Sequence, residues 1–508
     1  MVLTWLVLLP AIGAMVIALI PKSRRELIFP LSLAMTIPPL ALALWIAVSF
    51  AVGDPFFQFT VDYTFSETLG IGWRLGIDGI SLWMVVLTAV LFPLAIAASQ
   101  SITDQTKQYM VAMLILEAAL LGVFVALDML LFFAFFEIVL VPMYLLIGLW
   151  GSENRRYASM KFVLFTAFGS IFLLGGIVVL AVLVGDAIGA ATSFDFRLAM
   201  ETGLSSTTQL WLFAAFGIAF AVKVPIVPLH TWLADAHTEA PTAGSVILAG
   251  VLLKMGGYGL LRFNMTLFPE ATVDLATGLA VLGTIGIVYG AVVAIVQPDV
   301  KRLVAYSSIS HMGFVILGLF ALTSQGLSGG VFVMLSHGLV TGALFLLVGM
   351  LYDRRHTRLI DDYGGIASVM PIYAGFFLYM AFASIGLPGL SGFVGEFLVL
   401  VGSYLTVPAL AVIGASGVVL AAIYLLWAYE RIFTGPVSNP ANQVLADLGL
   451  REIAIIVPLI VLVLAIGVYP RPVLDRIQPS VDRILERIEA TTSYEVPEYG
   501  ATPGGGGS

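Results

Sequence analysis

The chain alternates between long apolar runs and short polar breaks. A helix needs about 20 consecutive apolar residues to cross a bilayer, and fourteen runs of about that length can be counted. We therefore predict an all-α integral membrane protein with about 14 transmembrane helices. The first run lacks the basic stretch and cleavage site of a signal peptide, so it is counted as a helix. The approximate cores of the runs are residues 2–20, 29–50, 76–98, 108–127, 129–150, 158–185, 207–229, 241–262, 273–296, 303–322, 328–351, 366–401, 409–430 and 452–469.

Basic residues favour every second connection between the runs. With the helix ends beside them, the odd-numbered connections carry fourteen Lys and Arg residues, whereas the even-numbered ones carry only Arg74, Arg197 and Arg262. Lys and Arg concentrate on the cytoplasmic side of membrane proteins. The bias therefore places the odd connections in the cytoplasm and both termini on the non-cytoplasmic side. It also supports the helix count, because one missed helix would scramble the alternation.

The composition excludes several classes of function. Charged residues make up 11% and hydrophobic residues 60% of the 508 positions, against about 25% and 45–50% in soluble proteins. The net charge is −8 without a basic stripe, which argues against nucleic acid binding. The chain has no cysteine, which excludes disulfides and cysteine-ligated iron–sulfur clusters, and it has no Walker-type phosphate loop. The lipid bilayer is the expected solvent.

Several charged residues lie inside the apolar runs, and two of them, Lys223 and Lys254, are lysines. A lysine at the centre of a membrane costs about 2.5–3.5 kcal/mol and commonly marks an ion pathway, although a lysine near a helix end can extend to the interface. Glu137, Glu396 and, with a weaker case, Glu117 are acidic counterparts. Because a nearby carboxylate favours the charged form of a buried lysine, moving that carboxylate would move the proton. A static ion pair is the alternative interpretation of Glu137.

Two of the five histidines have hydroxyl neighbours at helical spacing. His311 lies one turn after Ser307, and His337 lies one turn before Thr341. A neutral imidazole both donates and accepts a hydrogen bond, so it can pass a proton. Together with the buried lysines and glutamates, these histidines predict a proton relay, with a purely structural role in helix packing as the alternative.

A metal site is not predicted. His230 and His237 are seven residues apart, with Asp235 and Glu239 nearby. This spacing does not match the zinc signature of a helix. We therefore expect neither a metal nor a cofactor in this chain.

The seventh and twelfth runs are interrupted beside their charged residues. Pro225 and Pro228 follow Lys223, and a segment rich in glycine, 385–392, precedes Glu396. Freed backbone groups are tolerated in a membrane only beside protein or a water-filled cavity. Each interruption falls in the fourth helix of a group of five, and because five is odd the second group is inverted relative to the first. Paired interruptions in inverted repeats indicate an ion pathway, with a kink that only aids packing as the alternative.

These features divide the chain into five segments. Apolar residues recur at helical spacing in 471–490, which predicts an amphipathic surface helix, and the end at 503–508 is typical of a flexible linker. The predicted segments are three helices at 1–100, a five-helix repeat at 108–263, its inverted partner at 273–433, a last transmembrane helix at 451–470, and the amphipathic helix with a flexible tail at 471–508.

Three long motifs carry a family resemblance. They lie at Lys223–Gly250, Phe136–Ala158 and Lys301–Phe314. All three resemble the antiporter-like subunits of respiratory complex I and of the related Mrp antiporters, and the similarity extends over roughly residues 75–435. One departure is Ala234, which stands where the family usually has proline and puts the stiffness of that loop in question.

Within this family the chain is most similar to the M type. The N type has lysine where Glu396 stands, and the chain has no room for the long lateral helix of the L type. The resemblance implies that Lys223 is the central proton-holding lysine, that Glu137 is its switching partner, and that protons leave from Glu396. The residues that would continue a hydrated axis through the middle of the membrane are Lys254, His311 and His337.

The sequence thus predicts a proton-translocating subunit of a bacterial NADH:quinone oxidoreductase in the plasma membrane. Redox chemistry would occur in other subunits, with no redox centre or cofactor in this chain. The expected partners are the neighbouring antiporter-like subunits L and N, the lipid bilayer and protons, and nucleic acid is not expected. The alternatives are a subunit of an Mrp-type Na+/H+ antiporter, a scaffold whose buried charges only hold helices together, and a quinone-binding protein.

Overall fold

The computed structural model describes residues 1–437 and 439–497, so the expected linker at 503–508 lies outside the described residues. The chain is predominantly helical, and twelve helical segments of the described part are long and apolar enough to cross a membrane. This confirms the predicted class of multi-pass helical membrane protein. The total of about fourteen spans remains a prediction, because three further apolar helices are shorter or less apolar than the twelve.

The first half of the chain runs from the amino terminus to the first interrupted helix. Its helices are α1 (Val2–Leu19), α2 (Ile28–Ser49), α3 (Gly79–Ala98), α4 (Thr106–Val125), α5 (Met129–Ile138), α6 (Leu140–Trp150), α7 (Arg155–Ile188), α8 (Phe196–Glu201) and α9 (Ser206–Lys223). The run predicted at 129–150 is thus two helices, α5 and α6, which meet at Val139. The run predicted at 207–229 ends as a helix at Lys223, directly before the two prolines.

The second half begins with short helical pieces and continues with long ones. Its helices are α10 (Thr231–Glu239), α11 (Thr242–Ile247), α12 (Leu253–Gly259), α13 (Pro269–Ile295), α14 (Val300–Leu319), α15 (Ser324–Arg355), α16 (Pro371–Ile385), α17 (Ser391–Thr406), α18 (Pro408–Phe433), α19 (Leu450–Val468) and α20 (Arg471–Thr491). Two π-helical turns, Leu248–Leu252 and Leu260–Met265, join α11, α12 and the residues that follow into one continuous segment. The predicted interruption of the twelfth run is present as the gap between α16 and α17.

A β-hairpin in the second connection was not predicted from the sequence. Strands β1 (Gln58–Ser66) and β2 (Ile71–Ile77) pair antiparallel, and the third run therefore begins as a strand before α3 starts at Gly79. Arg74 of β2 binds the Asp128 carboxylate at 2.7 Å, which fixes the hairpin to the start of α5. The strands escape detection because their apolar residues merge with the helical run that follows.

Two segments form the interior of the bundle. Residues 243–265 and 326–351 are all buried, whereas α1, α2, α13, α18 and α19 each expose apolar faces. A helix that is hydrophobic all round belongs in the core of a large bundle. The polar side chains of these two segments are therefore shielded from the surrounding lipid.

The amphipathic helix predicted after the last span is α20. It packs across α3, α13 and α15. Its buried apolar residues are Val473, Ile477, Val481, Ile484, Leu485 and Ile488. Ser480 Oγ of α20 accepts a hydrogen bond from the Gly79 backbone N–H at 3.0 Å.

Replacing Gly79 with alanine is expected to lift α20 from the bundle. A Cβ at this position would lie 1.6 Å from the Arg476 carbonyl oxygen, so the backbone of α20 must move. Overpacking of this kind costs about 1–3 kcal/mol of folding free energy. The thermal unfolding midpoint of the purified protein measures the loss. Gly175→Ala in α7 is the matched control, because its Cβ would meet no atom within 4 Å, and an equal midpoint for the two variants would contradict the expected clash.

Candidate functional site: a buried row of titratable side chains

Four titratable side chains from four helices form two hydrogen-bonded pairs in the interior. Lys254 Nζ of α12 lies 2.6 Å from His337 Nδ1 of α15. His311 Nδ1 of α14 lies 2.7 Å from Glu396 Oε1 of α17. The two imidazole rings are 5.6 Å apart between centroids, at an angle of 53°. The sequence is therefore folded so that residues 83 and 85 positions apart become direct partners.

The space between the two histidines holds a narrow cavity. Its volume is about 10 Å³, which is about the room that one water molecule needs. The walls include His311, His337, Ser336 and Glu396. A bound water there would have polar partners on both sides, so it could connect the Lys254–His337 pair to the His311–Glu396 pair.

His311 has further polar neighbours on its second ring nitrogen. Its Nε2 lies 3.0 Å from Ser384 Oγ at the end of α16 and 3.4 Å from the Tyr424 hydroxyl of α18. The interruption after α16 places Ser384 and Glu396 on opposite sides of the imidazole. Both ring nitrogens of His311 thus have partners, which is the arrangement that proton transfer through an imidazole requires.

Lys254 is completely buried, and the adjacent π-helical turn supplies one of its acceptors. Its ammonium donates a hydrogen bond to the backbone carbonyl oxygen of Ala249, which belongs to that turn. It also contacts the His337 ring. A buried ammonium without acceptors is strongly disfavoured. Single π-helical turns inside α-helices are frequent at functional sites.

Lys223 lies at the end of α9, where the helix is interrupted. The carbonyl of Val222, left free by the interruption, accepts a hydrogen bond from Trp232 Nε1 at 2.9 Å. Lys223 is 1% exposed. Its ammonium lies 5.0 Å from the centre of the Phe136 ring and 5.4 Å from the centre of the Phe162 ring. Aromatic faces and the carboxyl end of a helix both stabilise a cation. Within the described residues its Nζ has no hydrogen-bond partner.

Glu137 lies near Lys223 without pairing with it. It stands in the last turn of α5, two residues before the short break at Val139 and directly after Phe136, whose ring contacts the lysine. Its Oε1 is buried without a hydrogen-bond partner, and no ion pair within 4.0 Å joins it to Lys223 in the described part of the chain. The switching role expected of Glu137 therefore stays a prediction.

Glu117 is fully buried in α4 but is separate from the two pairs. Both of its carboxylate oxygens lack a hydrogen-bond partner among the described residues. It shares a face of α4 with Phe124, which lies two turns further on and whose ring packs against Tyr258 at 5.3 Å. The role of Glu117 also stays a prediction.

Two functional candidates were missed in the sequence because they do not lie within long apolar runs. Lys301 stands at the start of α14 and looked like a flanking charge, yet it is buried and donates to the Ala240 carbonyl. His237 is buried, neither of its ring nitrogens has a hydrogen-bond partner among the described residues, and it stacks on Phe345 at 4.7 Å between centroids. The only sequence signal for His237 is its spacing from His230, which bears on metal binding and not on proton transfer.

The acidic and imidazole side chains between His230 and His237 have separate partners. Asp235 binds Lys161 at 2.7 Å, while the His230 ring packs against Tyr289 at 5.0 Å. Among the described residues no group of three or more His, Asp or Glu side chains could hold a metal ion. The two histidines therefore meet aromatic rings rather than each other.

A cavity of about 210 Å³ opens beside Lys301. It is lined by ends of helices that adjoin the odd-numbered connections, so it lies on the side with most of the basic residues. Its polar lining includes Lys301, Glu239, Arg358 and Tyr109. The cavity therefore contacts the buried lysine from that side.

The interrupted helices and the buried lysine–histidine–glutamate row define a class of antiporter-like, multi-pass membrane proteins. Residues 126–423 match the family described as "NADH:quinone oxidoreductase/Mrp antiporter, TM". Residues 26–127 match the family "NADH-ubiquinone oxidoreductase chain 4, amino terminus". The chain belongs to the NADH:quinone oxidoreductase/Mrp antiporter family, as the three motifs indicated.

Individual relatives cover nearly the whole chain. NADH-quinone oxidoreductase subunit M of Rhodobacter capsulatus is 44% identical over 95% of this chain and 96% of its own length. NADH-ubiquinone oxidoreductase chain 4 of Marchantia polymorpha is 42% identical over 95% of this chain and 97% of its own length. A chain of respiratory complex I from Thermus thermophilus superposes with a TM-score of 0.87 and 31% sequence identity. The superposition covers 96% of this chain and 100% of that chain.

The Mrp complex from Dietzia sp. DQ12-45-1b is a more distant structural neighbour. One of its chains has a TM-score of 0.83 at 21% identity, covering 96% of this chain and 99% of its own length. This likeness shows a shared fold. The oxidoreductase relatives are closer in sequence over the same extent.

Proposed function

We propose that this chain is the M-type membrane subunit of a bacterial NADH:quinone oxidoreductase and that it translocates protons through the buried row. The observation that carries the proposal is the pair of hydrogen bonds from Lys254 to His337 and from His311 to Glu396, with the two imidazoles facing each other. Each group in this row can exist with and without its proton. The row therefore offers a chain of donors and acceptors across the middle of the bundle.

The first transfer in the row is between Lys254 and His337. A short N···N contact of 2.6 Å between a lysine and an imidazole requires that one of them donates and the other accepts. An ammonium and an imidazolium would repel each other here, so the pair carries one shared charge at most. A second positive charge arriving nearby would therefore displace a proton from the pair.

The second transfer passes from His337 to His311 and on to Glu396. The cavity between the rings has room for one water, and the imidazole of His311 meets Glu396 on one nitrogen and Ser384 on the other. Accepting a proton on one nitrogen while releasing one from the other is the ordinary chemistry of imidazole. Glu396 is the carboxylate at the end of this sequence of contacts, which supports the terminal role that the resemblance implies.

Proton uptake would occur from the side of the basic connections. The cavity beside Lys301 brings water to a buried ammonium, and His237 lies within electrostatic range of both Lys301 and Lys254. Neither ring nitrogen of His237 has a hydrogen-bond partner in the described part of the chain, so the nitrogen without a proton is available to accept one. This supports a route from the cavity through Lys301 and His237 to Lys254.

The Lys223 site would link the row to the energy source. Its ammonium is held by aromatic rings and a helix end rather than by a carboxylate, and Glu137 is the nearest acidic candidate in sequence to those rings. Forming and breaking a Glu137–Lys223 pair would change the charge next to the row. Conformational and electrostatic change in neighbouring subunits would drive that switch, with redox chemistry outside this chain.

The proposal includes the position of the chain in its complex. The expected neighbours are the antiporter-like subunits L and N, in a bacterial plasma membrane with both termini on the non-cytoplasmic side. The segments 108–263 and 273–433 would be the inverted repeats, and the interruptions after Lys223 and before Glu396 support them because each falls in the fourth helix of its group. The alternative, a subunit of an Mrp-type antiporter, is disfavoured by the 44% identity to an oxidoreductase subunit over 95% of the chain.

Replacing Glu396 with glutamine tests the terminal step of the row. Glutamine keeps the size of the side chain and can still contact His311, but it cannot bind or release a proton in this role. We expect proton pumping by the complex in sealed vesicles to fall to background. Coupled quinone reduction should fall by about 10- to 100-fold, because losing a proton-transfer group typically costs about 100-fold or more in rate. Glu396→Asp is the matched control and should retain part of the pumping. Pumping at the unmodified level in Glu396→Gln would refute the terminal role.

A further inference from the structure

A second cavity lies on the opposite side of the bundle, beneath α20. Its volume is about 150 Å³. It is bounded by loop residues near Pro55, by Glu201 at the end of α8, and by the α20 side chains Arg483 and Arg487. Glu201 is exposed, so the cavity communicates with the aqueous side that lacks most of the basic residues.

The inner wall of this cavity is a buried ion pair. Arg262 Nη2 binds Asp78 Oδ2 at 2.5 Å, and both residues are less than a tenth exposed. The guanidinium lies over the Phe57 ring at 4.9 Å. Burial raises the pKa of the Asp78 carboxyl, but the charge of Arg262 and hydrogen bonds from Arg262 and Ser81 outweigh burial and keep that pKa below its usual value. The pair is therefore ionised at neutral pH.

Polar atoms continue inward from this pair toward Lys254. Arg262 Nε donates to the Tyr258 hydroxyl at 3.2 Å, and Tyr258 donates to the Phe124 carbonyl at 3.3 Å. Lys254, Tyr258 and Arg262 follow each other at intervals of four residues, so they share one face of the segment. At about 1.5 Å per residue, Arg262 stands about 12 Å along the axis from Lys254. An aqueous cavity thus approaches the row from the side to which protons are delivered.

We propose that Arg262 is the barrier that keeps protons in this outer cavity from flowing back to Lys254. This inference rests on the proposed function, because it gives the row a side that must be closed. Arginine does not lose its proton in proteins, so it cannot hand one on. Fixed arginine charges in pores exclude protons and cations in the same way. The guanidinium lies between Lys254 and the Asp78 carboxylate, because Nε of Arg262 faces Tyr258 and Nη2 faces Asp78.

The two other arginines of the even-numbered connections differ from Arg262 in position. Arg74 and Arg197 pair with Asp128 and Asp195 in the hairpin region, where they fasten loops to helices. Arg262 alone of these three shares a helical face with Lys254 and lines the outer cavity. An ion pair that only stabilises the fold has no required position relative to Lys254. A proton barrier must lie between the outer cavity and the row, and Arg262 lies there.

The test is passive proton conductance of the intact complex. The complex is reconstituted into liposomes with a clamped membrane potential, a pH gradient is imposed without NADH, and its decay is followed. Arg262→Gln should speed the decay roughly tenfold, which is the effect of one unit charge about 12 Å away at an effective dielectric constant of about 20. Arg197→Gln is the matched control and should decay like the unmodified complex.

A double variant keeps the test decisive if Arg262→Gln alone fails to assemble because it leaves Asp78 buried without a partner. Arg262→Gln with Asp78→Asn removes both charges and should raise conductance in the same direction, by a smaller factor. Conductance at the Arg197→Gln level in the assembled double variant would overturn the barrier. The conductance measurement uses no NADH, so its result does not depend on pumping. Loss of pumping in a Glu396→Gln complex that does not leak protons tests the proposed row and not the barrier.

Discussion

Replacing Lys254 with methionine is expected to abolish proton pumping by the assembled complex. Lys254 is fully buried and forms the 2.6 Å contact with His337, so its loss removes the first donor of the row. Methionine has a similar length and suits an apolar interior, so folding should survive. We expect pumping in sealed vesicles at background and coupled quinone reduction about 100-fold lower, the scale of a lost proton-transfer group.

Arginine at the same position separates a relay from a fixed charge. Lys254→Arg retains the positive charge but cannot release a proton. A relay therefore predicts failure of both Lys254→Met and Lys254→Arg, whereas an electrostatic or scaffolding role predicts recovery with arginine. Subunit content of the purified complex, measured for each variant, shows that the loss is not one of assembly. Full pumping in Lys254→Met would contradict the relay outright.

The second large effect is expected at Lys223, where the energy input is proposed. Lys223→Met removes the charge held by the Phe136 and Phe162 rings. We expect pumping to be lost and coupled turnover to fall by about 100-fold, because the row then receives no change of charge. Glu137→Gln alone should have a similar effect, since glutamine cannot alternate between charged and neutral forms. Proton movement and NADH-dependent quinone reduction are measured together on the same vesicles.

The paired variant distinguishes this switch from a scaffold. If the two charges only hold helices together, Lys223→Met combined with Glu137→Gln removes both and should leave function intact, since a buried ion pair can often be replaced by neutral groups without loss of stability. A switch predicts that the double variant is as inactive as each single one. The absence of a direct Glu137–Lys223 bond among the described residues already disfavours a static pair.

Much of the architecture could be predicted from the sequence because the membrane restricts the possibilities. Long apolar runs can only be helices in lipid, and charged residues inside them are rare enough to stand out. Lys254 and Glu396 were predicted in this way, His311 and His337 were predicted from hydroxyl neighbours at helical spacing, and the structure joins all four in one row. The interruptions after Lys223 and before Glu396 were visible because proline and glycine mark them.

What the sequence could not supply is which partners meet and which charges are truly buried. His311 and Glu396 are 85 residues apart, and helical spacing gives no register between separate helices. Lys301 and Arg262 stand near helix ends, where a charge is normally solvated, so their burial depends on how neighbouring segments cover them. The β-hairpin was hidden because its second strand continues directly into an apolar helix.

The two fully buried segments have a consequence for the lipid environment. Residues 243–265 and 326–351 carry Lys254 and His337, and helices with exposed apolar faces stand outside them. When the hydrocarbon thickness of a bilayer changes, tilt and local stretching fall on the helices that touch lipid. The 2.6 Å contact between Lys254 and His337 is thereby insulated from bilayer thickness. Acyl chains a few carbons longer or shorter should therefore alter the tilt of α1, α13 and α19 while the alignment of the row is preserved.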